Sequence, residues 1–525
     1  MISGALVRTI VFLLALLSLA PLACGRGATT ATVPGDGGAM GLGPAPAGAV
    51  FVHLFEWRWT DIALECERYL GPAGFAGVQV SPPSEHAIIA PYPWWERYQT
   101  VDYSLAQSRS GTAAEFTDMV QRCSRVGVRI YVDAVFNAMT GQTTGVGSNG
   151  TLFTKYSYPG LYTQTDFHQP PCAIMDSDYQ DNATNVRICE LDGLADLDTS
   201  AGGVRDTIAG YLDALIDVGV AGFRVDSAKH MYPADLDYIV QRVNEHAGPS
   251  RLPFFYFEVA GTGVEAVMPG DYLSVGSGTG QPISVTEFKY AALFDQFDTD
   301  PQISSLKGLL TTPGDYLPSE QALVFTTNHD TERATAVYYQ DGISYDLATV
   351  FLLAWPHGYP SLMSSFAFDR GTSAGQSLGP PSDSTGHTNS IYAAGISTTD
   401  CAVDPHNPPA GSWVCQHRDP FVPRMLAFRK ALSVDTTVTS WWDDGDNQIA
   451  FGRGAQGFVV INRSATVLAQ TLATGLPAGS YCDIFGGKKG ETGCTGGTVV
   501  VDATGNASFD VPSLDAVVLY GDAKL

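Results

Sequence analysis

Three carboxylates stand at the ends of short apolar runs. Phe223-Arg224-Val225 leads into Asp226, Phe255-Tyr256-Phe257 into Glu258, and Thr327-Asn328-His329 into Asp330. Burial raises the pKa of a carboxyl group and a neighbouring cation lowers it. Two carboxylates tuned apart in this way are the machinery of glycosidic-bond hydrolysis. One is ionised, and the other protonates the leaving oxygen. Arg224 lies two residues before Asp226, on the same strand face, where it would keep Asp226 ionised. The aromatic residues 254–257 would hold a proton on Glu258 near neutral pH. Taken alone, each piece has a plainer reading. Arg224 and Asp226 suit an ion pair inside a barrel layer, and Asn328–Asp330 suits a helix N-cap.

These residues need elements that end at one mouth. Apolar, Val/Ile/Phe-rich runs bounded by Gly or Pro occur at 50–55, 77–80, 128–136, 221–225, 253–259, 285–288 and 322–327, with a weaker one at 353–363. Such runs read as buried strands. Between them, 112–125 and 204–218 carry apolar residues near a 3.6-residue period. Eight strands alternating with helices predict a (β/α)8 barrel at 49–136 and 200–433, whose catalytic groups sit where strands give way to loops. The interval after the third strand is too long for a structureless loop, so a small inserted domain is expected at 137–199. From 434 to 525 short β-like runs separated by turn residues predict an antiparallel β-sandwich.

The termini and cysteines point to export. Arg8 precedes an apolar run at 10–20, short for a membrane span and suited to a signal peptide over 1–23. Cys24 follows a small residue there and resembles a bacterial lipoprotein acceptor. An ordinary signal peptide with an incidental Cys is the alternative. Residues 24–48 form a Gly/Pro-rich tether. Without Cys24, eight of the nine cysteines remain, an even number that suits disulfides. Order along the chain suggests Cys66–Cys123, Cys172–Cys189, Cys401–Cys415 and Cys482–Cys494. The net charge is −25, from 29 Lys+Arg against 54 Asp+Glu. That excludes non-specific nucleic-acid binding and attraction to anionic lipid. Membrane attachment is left only to an acylated Cys24.

The segments HLFEWRW (53–59), ECERYLGPAGFAGVQVSPP (65–83), WWERYQ (94–99), GVRIYVDAVFN (127–137), VAGFRVDSAKH (220–230), TEFKY (286–290), NHD (328–330) and FGRG (451–454) closely resemble the α-amylases of glycoside hydrolase family 13, animal-type branch. The resemblance runs from about His53 to the C-terminus. It implies Asp226 as nucleophile, Glu258 as general acid/base and Asp330 as the carboxylate that stabilises the transition state. It implies sugar contacts from Trp94, Trp95, Tyr98, Gln99, Arg224, Lys229, His230, Glu287 and His329. It also implies one structural Ca²⁺, bound by the side chains of Asn137 and Asp196 and the main-chain carbonyls of Arg187 and His230, an oxygen-only set that suits calcium. The substrate would be an α-glucan and the enzyme an exported monomer. Trp441-Trp442 is expected at the barrel–sandwich interface.

Three positions depart from the family pattern. Ala138 stands where a His bonds the sugar, which predicts a slower or compensated enzyme. Ser361 stands where the chloride-dependent members carry a second Arg, so chloride is not expected as a cofactor. Thr335 stands where a substrate-binding His lies in a Gly-rich loop. Two other readings follow: a related α-glucan transglycosylase or small-product amylase, and a catalytically weak starch-binding surface lipoprotein.

Overall fold

The structure, a computed structural model, describes residues 47–279, 283–299, 302–334, 336–392, 401, 405–409 and 411–525. The signal segment, Cys24, most of the tether and Thr335 lie outside the described residues. Eight parallel strands close a barrel in chain order. They are β1 (Phe51–Leu54), β2 (Gly77–Val80), β3 (Arg129–Ala134), β4 (Gly222–Val225), β5 (Phe254–Phe257), β6 (Ser284–Thr286), β7 (Ala322–Val324) and β8 (Tyr359–Ser364). Helices on the outside include α1 (Trp59–Glu65), α2 (Ala113–Arg125), α3 (Gly202–Val218), α4 (Pro233–Ala247), α5 (Ile343–Ala354) and α6 (Val422–Ala431). Helix α2 begins as its sequence says it should, with a Thr112/Glu115 capping box. Helix α3 stops at Gly219, whose φ of 109° suits glycine.

Two strand assignments change. The weak eighth run at 353–363 is two elements: its first residues end helix α5, and the strand starts only at Tyr359. A buried helix and a buried strand look alike in a short apolar run. Strand β7 stops at Val324, so Thr327–Asp330 belong to the loop above it.

The long excursion between β3 and β4 is closed at its base. A two-residue ladder pairs Ala138 with Asp196 and Met139 with Ala195, and Cys172–Cys189 ties its interior. The other three predicted disulfides also form. The C-terminal part packs two four-stranded antiparallel sheets. One follows the order β9 (Val438–Asp443), β10 (Gln448–Arg453), β11 (Gly457–Asn462), β16 (Asp515–Tyr520). The other follows β12 (Leu468–Ala473), β15 (Asn506–Val511), β14 (Thr498–Val501), β13 (Gly479–Cys482). Phe458, Val460, Leu468, Phe509 and Leu519 fill the space between them.

The sandwich docks through helix α5. Trp441 stacks on Phe451 and meets Trp355 edge-on at 6.1 Å, while Trp442 faces the sandwich core. Two buried guanidiniums take carbonyls at the ends of α5 and α6. Arg429 donates to Trp355 O at 2.7 Å and Gly358 O at 2.8 Å. Arg453, from the FGRG segment, donates to Ala354 O and Asp435 O. A cation here completes the carbonyls a helix leaves unpaired and complements its dipole.

Candidate active site

Register brings the first two carboxylates level. Val225 pairs with Phe257, so Asp226 and Glu258 leave adjacent strands at the same height. Gly222 permits the approach, because a Cβ there would fall 2.3 Å from Phe254 O. Asp226 N donates to Ala134 O and Glu258 N to Val225 O, at 3.1 and 3.0 Å. Both acids therefore begin their loops still bonded to the barrel.

One guanidinium gathers four carboxylates. Arg224 Nη1 reaches Asp133 Oδ1 at 2.5 Å and Asp226 Oδ1 at 2.6 Å, while Nη2 reaches Glu258 Oε1 at 2.6 Å and Asp330 Oδ2 at 3.9 Å. The second Glu258 oxygen accepts from Ser227 N at 2.9 Å. Ser227 has φ 50°, and that left-handed turn aims its amide at Glu258. Below them Asp133 also accepts from Tyr98 OH at 2.9 Å, and Tyr256 OH donates to Gln79 at 2.7 Å.

The electrostatics follow from one cation serving four anions. Burial raises Asp226 and Asp133 to about 6 against the pull of Arg224. Burial raises Glu258 as well, again opposed by Arg224 and reinforced by Asp330. Burial within the cleft and the neighbouring anions raise Asp330. Four like charges this close oppose one another's ionisation, so each carboxyl titrates above its ordinary value while Arg224 limits the rise. His329 and His53 are pushed well below their ordinary value, by burial first and Arg224 second, so both rings are neutral.

Above the carboxylates opens a cleft of about 670 Å³, lined by Trp94, Trp95, Tyr98, Gln99, Lys229, His230, His329 and all three acids. Its wall is a run of stacked rings. Tyr98 lies on His329 at 5.2 Å, His329 on Phe55 at 5.0 Å, and Phe55 on Phe366 at 5.9 Å. Trp94 is tied by its indole N–H to Gln376 O at 2.9 Å. Gln99 accepts from Thr140 Oγ1 and Gly141 N at 2.8 and 2.9 Å. Lys229 is held by Glu265 and by Ala260 O.

Two expected sugar contacts are placed elsewhere. Glu287 turns away from the cleft, is 3% exposed and accepts from Leu317 N at 2.6 Å, and Phe288 lines the cleft instead. The cause is the position of the residue just past β6, where successive side chains take opposite sides. Arg224 is 3% exposed and lies beneath the acids rather than against a sugar. Asp133 beneath the acids, Phe55 behind His329 and the Leu191–Leu194 edge of the excursion join the site although they were not expected there. Asp133 had a signal: an acid inside the otherwise apolar run Ile130–Ala134.

At the base of the excursion, the proposed calcium residues fit an oxygen-bound cation. Asn137 Oδ1 is buried with no hydrogen-bond partner. Asp196 is 3% exposed, and burial raises it to about 7 even with His168 Nδ1 at 2.6 Å. The His230 ring is already engaged with Val186 O at 2.8 Å, which leaves its carbonyl as donor. Among the described residues no three His, Cys, Asp or Glu side chains cluster around a metal. Behind the carboxylates, Arg224, Asn328 and Ser361 line a small space of about 20 Å³, and Arg224 is the one cationic residue of its described lining.

Comparison with known proteins gives the same class. Residues 68–257 match "Alpha amylase, catalytic domain" and 440–522 match "Alpha amylase, C-terminal all-beta domain". The chain is 42% identical over 490 residues to an "Alpha-amylase-related protein" of Drosophila melanogaster, covering 90% of this chain and 94% of that one. It is 42% identical over 494 residues to the pancreatic α-amylase of Struthio camelus, covering 89% and 95%. It is 41% identical over 504 residues to α-amylase 1A of Homo sapiens, covering 90% and 94%. Among solved structures, wild-type α-amylase I from Eisenia fetida superposes with a TM-score of 0.80 at 37% identity, over 91% of this chain and 98% of that one. A γ-CGTase from alkalophilic Bacillus clarkii, at 17% identity and a TM-score of 0.64, shares the fold. The barrel and its carboxylate mouth are those of a glycoside hydrolase. The chain belongs to the animal-type α-amylases of glycoside hydrolase family 13.

Proposed function

We propose that this protein hydrolyses internal α-1,4-glucosidic bonds of starch or glycogen with retention of configuration. The observation that carries the reading is the single guanidinium of Arg224 bonded to both Asp226 and Glu258 at the barrel mouth. Retaining enzymes need a close carboxylate pair, about 5–5.5 Å apart, and a shared fork favours such closeness. The Eisenia fetida relative was also solved as a Glu-to-Gln variant with maltohexaose.

Asp226 attacks the anomeric carbon and forms a glycosyl ester while Glu258 gives its proton to the leaving oxygen. Glu258 then takes a proton from water, the water oxygen attacks the anomeric carbon, and Asp226 is released ionised. Neutral His329 and Asp330 bond the hydroxyls of the sugar being cleaved. Trp95 and Tyr98 offer ring faces to neighbouring sugars. The open cleft supports internal cleavage of a long chain.

A calcium ion would be held by Asn137, Asp196 and the carbonyls of Arg187 and His230, and would supply positive charge that pins the excursion to the barrel. Activity is chloride-independent, supported by the lone cation in the space behind the site. Four disulfides support export. The test is hydrolysis of soluble starch followed by iodine staining, reducing ends and NMR of the first-formed anomer. Staining should fall well ahead of reducing-end release, the new ends should be α, and Asp226→Asn should reduce the rate by about 10³-fold or more. First products of β configuration, or products longer than the substrate as the main species, would overturn this reading.

A further inference from the structure

Arg333 stands three residues beyond Asp330 and is 6% exposed. Its guanidinium carbon lies 4.3 Å from the ring centre of Phe368, 5.0 Å from Trp94, and 5.3 Å from both Phe55 and Phe366. Nη1 donates to His329 O at 2.7 Å and to Glu332 at 2.6 Å. Glu332 is wholly buried and also accepts from Ser365 at 2.7 Å. Nε and Nη2 have no hydrogen-bond partner. A buried cation with unpaired donors is costly, and here the faces of four rings take the place of those partners.

Two of the groups that Arg333 touches belong to the cleft, although Arg333 does not line it. One is Trp94. The other is the His329 backbone, which leads directly into Asp330. Phe55, against the same guanidinium, also backs the His329 ring. The aromatic wall and the third carboxylate thus share one support.

We infer that Arg333 is a positioning residue for sugar binding, its planar guanidinium seating the Trp94 indole and the His329–Asp330 turn so that both meet the same glucan chain. The inference rests on the α-glucan reading of the cleft. Lysine would keep the charge and lose both the plane and the fork, so Arg333→Lys isolates the geometric part. Arg429→Lys is the structural control, since that buried guanidinium is held by carbonyls around the end of α5.

The experiment measures kcat and KM on maltohexaose for the full chain and both variants, with thermal melts. It also measures maltohexaose Kd by calorimetry in an Asp226→Asn background. Arg333→Lys should raise KM and Kd together by about 3- to 10-fold, and any loss of kcat through the displaced Asp330 turn should not exceed that factor. Arg429→Lys should lower Tm and leave KM within about 2-fold. Arg333→Lys with KM and Kd within about 2-fold of wild type overturns the inference, whatever its Tm. Should Arg333→Lys not fold, Phe368→Leu carries the test. It removes the nearest ring, and KM should rise at least about 2-fold; an unchanged KM overturns the inference. A wild-type protein that neither cleaves nor binds maltohexaose instead removes the α-glucan reading itself.

Discussion

Replacing Arg224 by Gln removes the one cation among Asp133, Asp226, Glu258 and Asp330. Asp226 stands at about 6 with Arg224 in place. An adjacent guanidinium lowers a carboxyl by about 1–3 pH units, so without it Asp226 would titrate at roughly 7–9. At pH 7 its ionised fraction then drops from roughly nine-tenths to between one-half and one-hundredth. The rate loss from this cause alone is about 2- to 90-fold. Arg224 also holds Glu258 down, so the basic limb, where Glu258 loses its proton, moves up too. The whole bell of kcat/KM against pH should shift upward by about 1–3 units. Arg224→Lys keeps the charge but cannot fork onto two carboxylates. Its bell should stay in place while kcat falls by about tenfold or more.

Stability gives an independent sign. A carboxyl raised in the folded state contributes stability at low pH that is lost as pH rises through its folded value. In the wild type the window for Asp133 and Asp226 is from 3.8 to about 6. In Arg224→Gln it extends to higher pH, so its Tm should fall more steeply between pH 5 and 9. Kinetics at temperatures below the melt, with circular dichroism at each pH, separate the two effects. A folded Arg224→Gln protein whose bell lies within about 0.3 pH unit of wild type refutes the argument that this guanidinium sets the ionisation of the pair.

Other outcomes follow from the same structure. Ala138→His should add a sugar contact and raise kcat/KM on maltohexaose about tenfold to a hundredfold; a lower or equal value sinks the idea. Chelation by EDTA should lower Tm and activity together, with both restored by Ca²⁺ and not by Mg²⁺, whose stricter octahedral geometry suits this mixed set poorly. Activity in chloride-free buffer should match that in 0.1 M NaCl at constant ionic strength, and strong activation by chloride would contradict a site with one cation. Arg453→Met leaves Ala354 O at the end of α5 and Leu432 O and Asp435 O beyond α6 without this donor and should cost about 2–4 kcal/mol in urea unfolding, with KM unchanged.

Much of the site was legible before folding because strands announce themselves. A run such as Gly222–Val225 fixes where its chain leaves the barrel, and the residue after it, Asp226, must stand at that end. The same logic reached Glu258. The disulfides followed from order along the chain, each pair being nearest neighbours in sequence. The strand–helix confusion at 353–363 arose because α5 is buried along most of its length and carries no polar stripe.

What the linear order lacks is radial information. Period-two alternation says that Arg224 and Asp226 share a face. It does not say that Asp133 and Glu258 from neighbouring strands, and Asp330 from across the barrel, converge on that same guanidinium. Nor does it show Tyr98, His329, Phe55 and Phe366 as one stack, because they come from four separate stretches. Glu287 was misplaced for the same reason. Its strand was identified, but the direction of a side chain one residue beyond β6 depends on how the loop turns against Leu317. The sequence by itself determined that Asp226 and Glu258 stand at the barrel mouth, since each directly follows a short apolar strand; Asp330 lies in a loop six residues beyond its strand. The closed barrel decided which charge each acid shares and which ring backs each sugar contact, since those follow from inter-strand register and packing across distant segments.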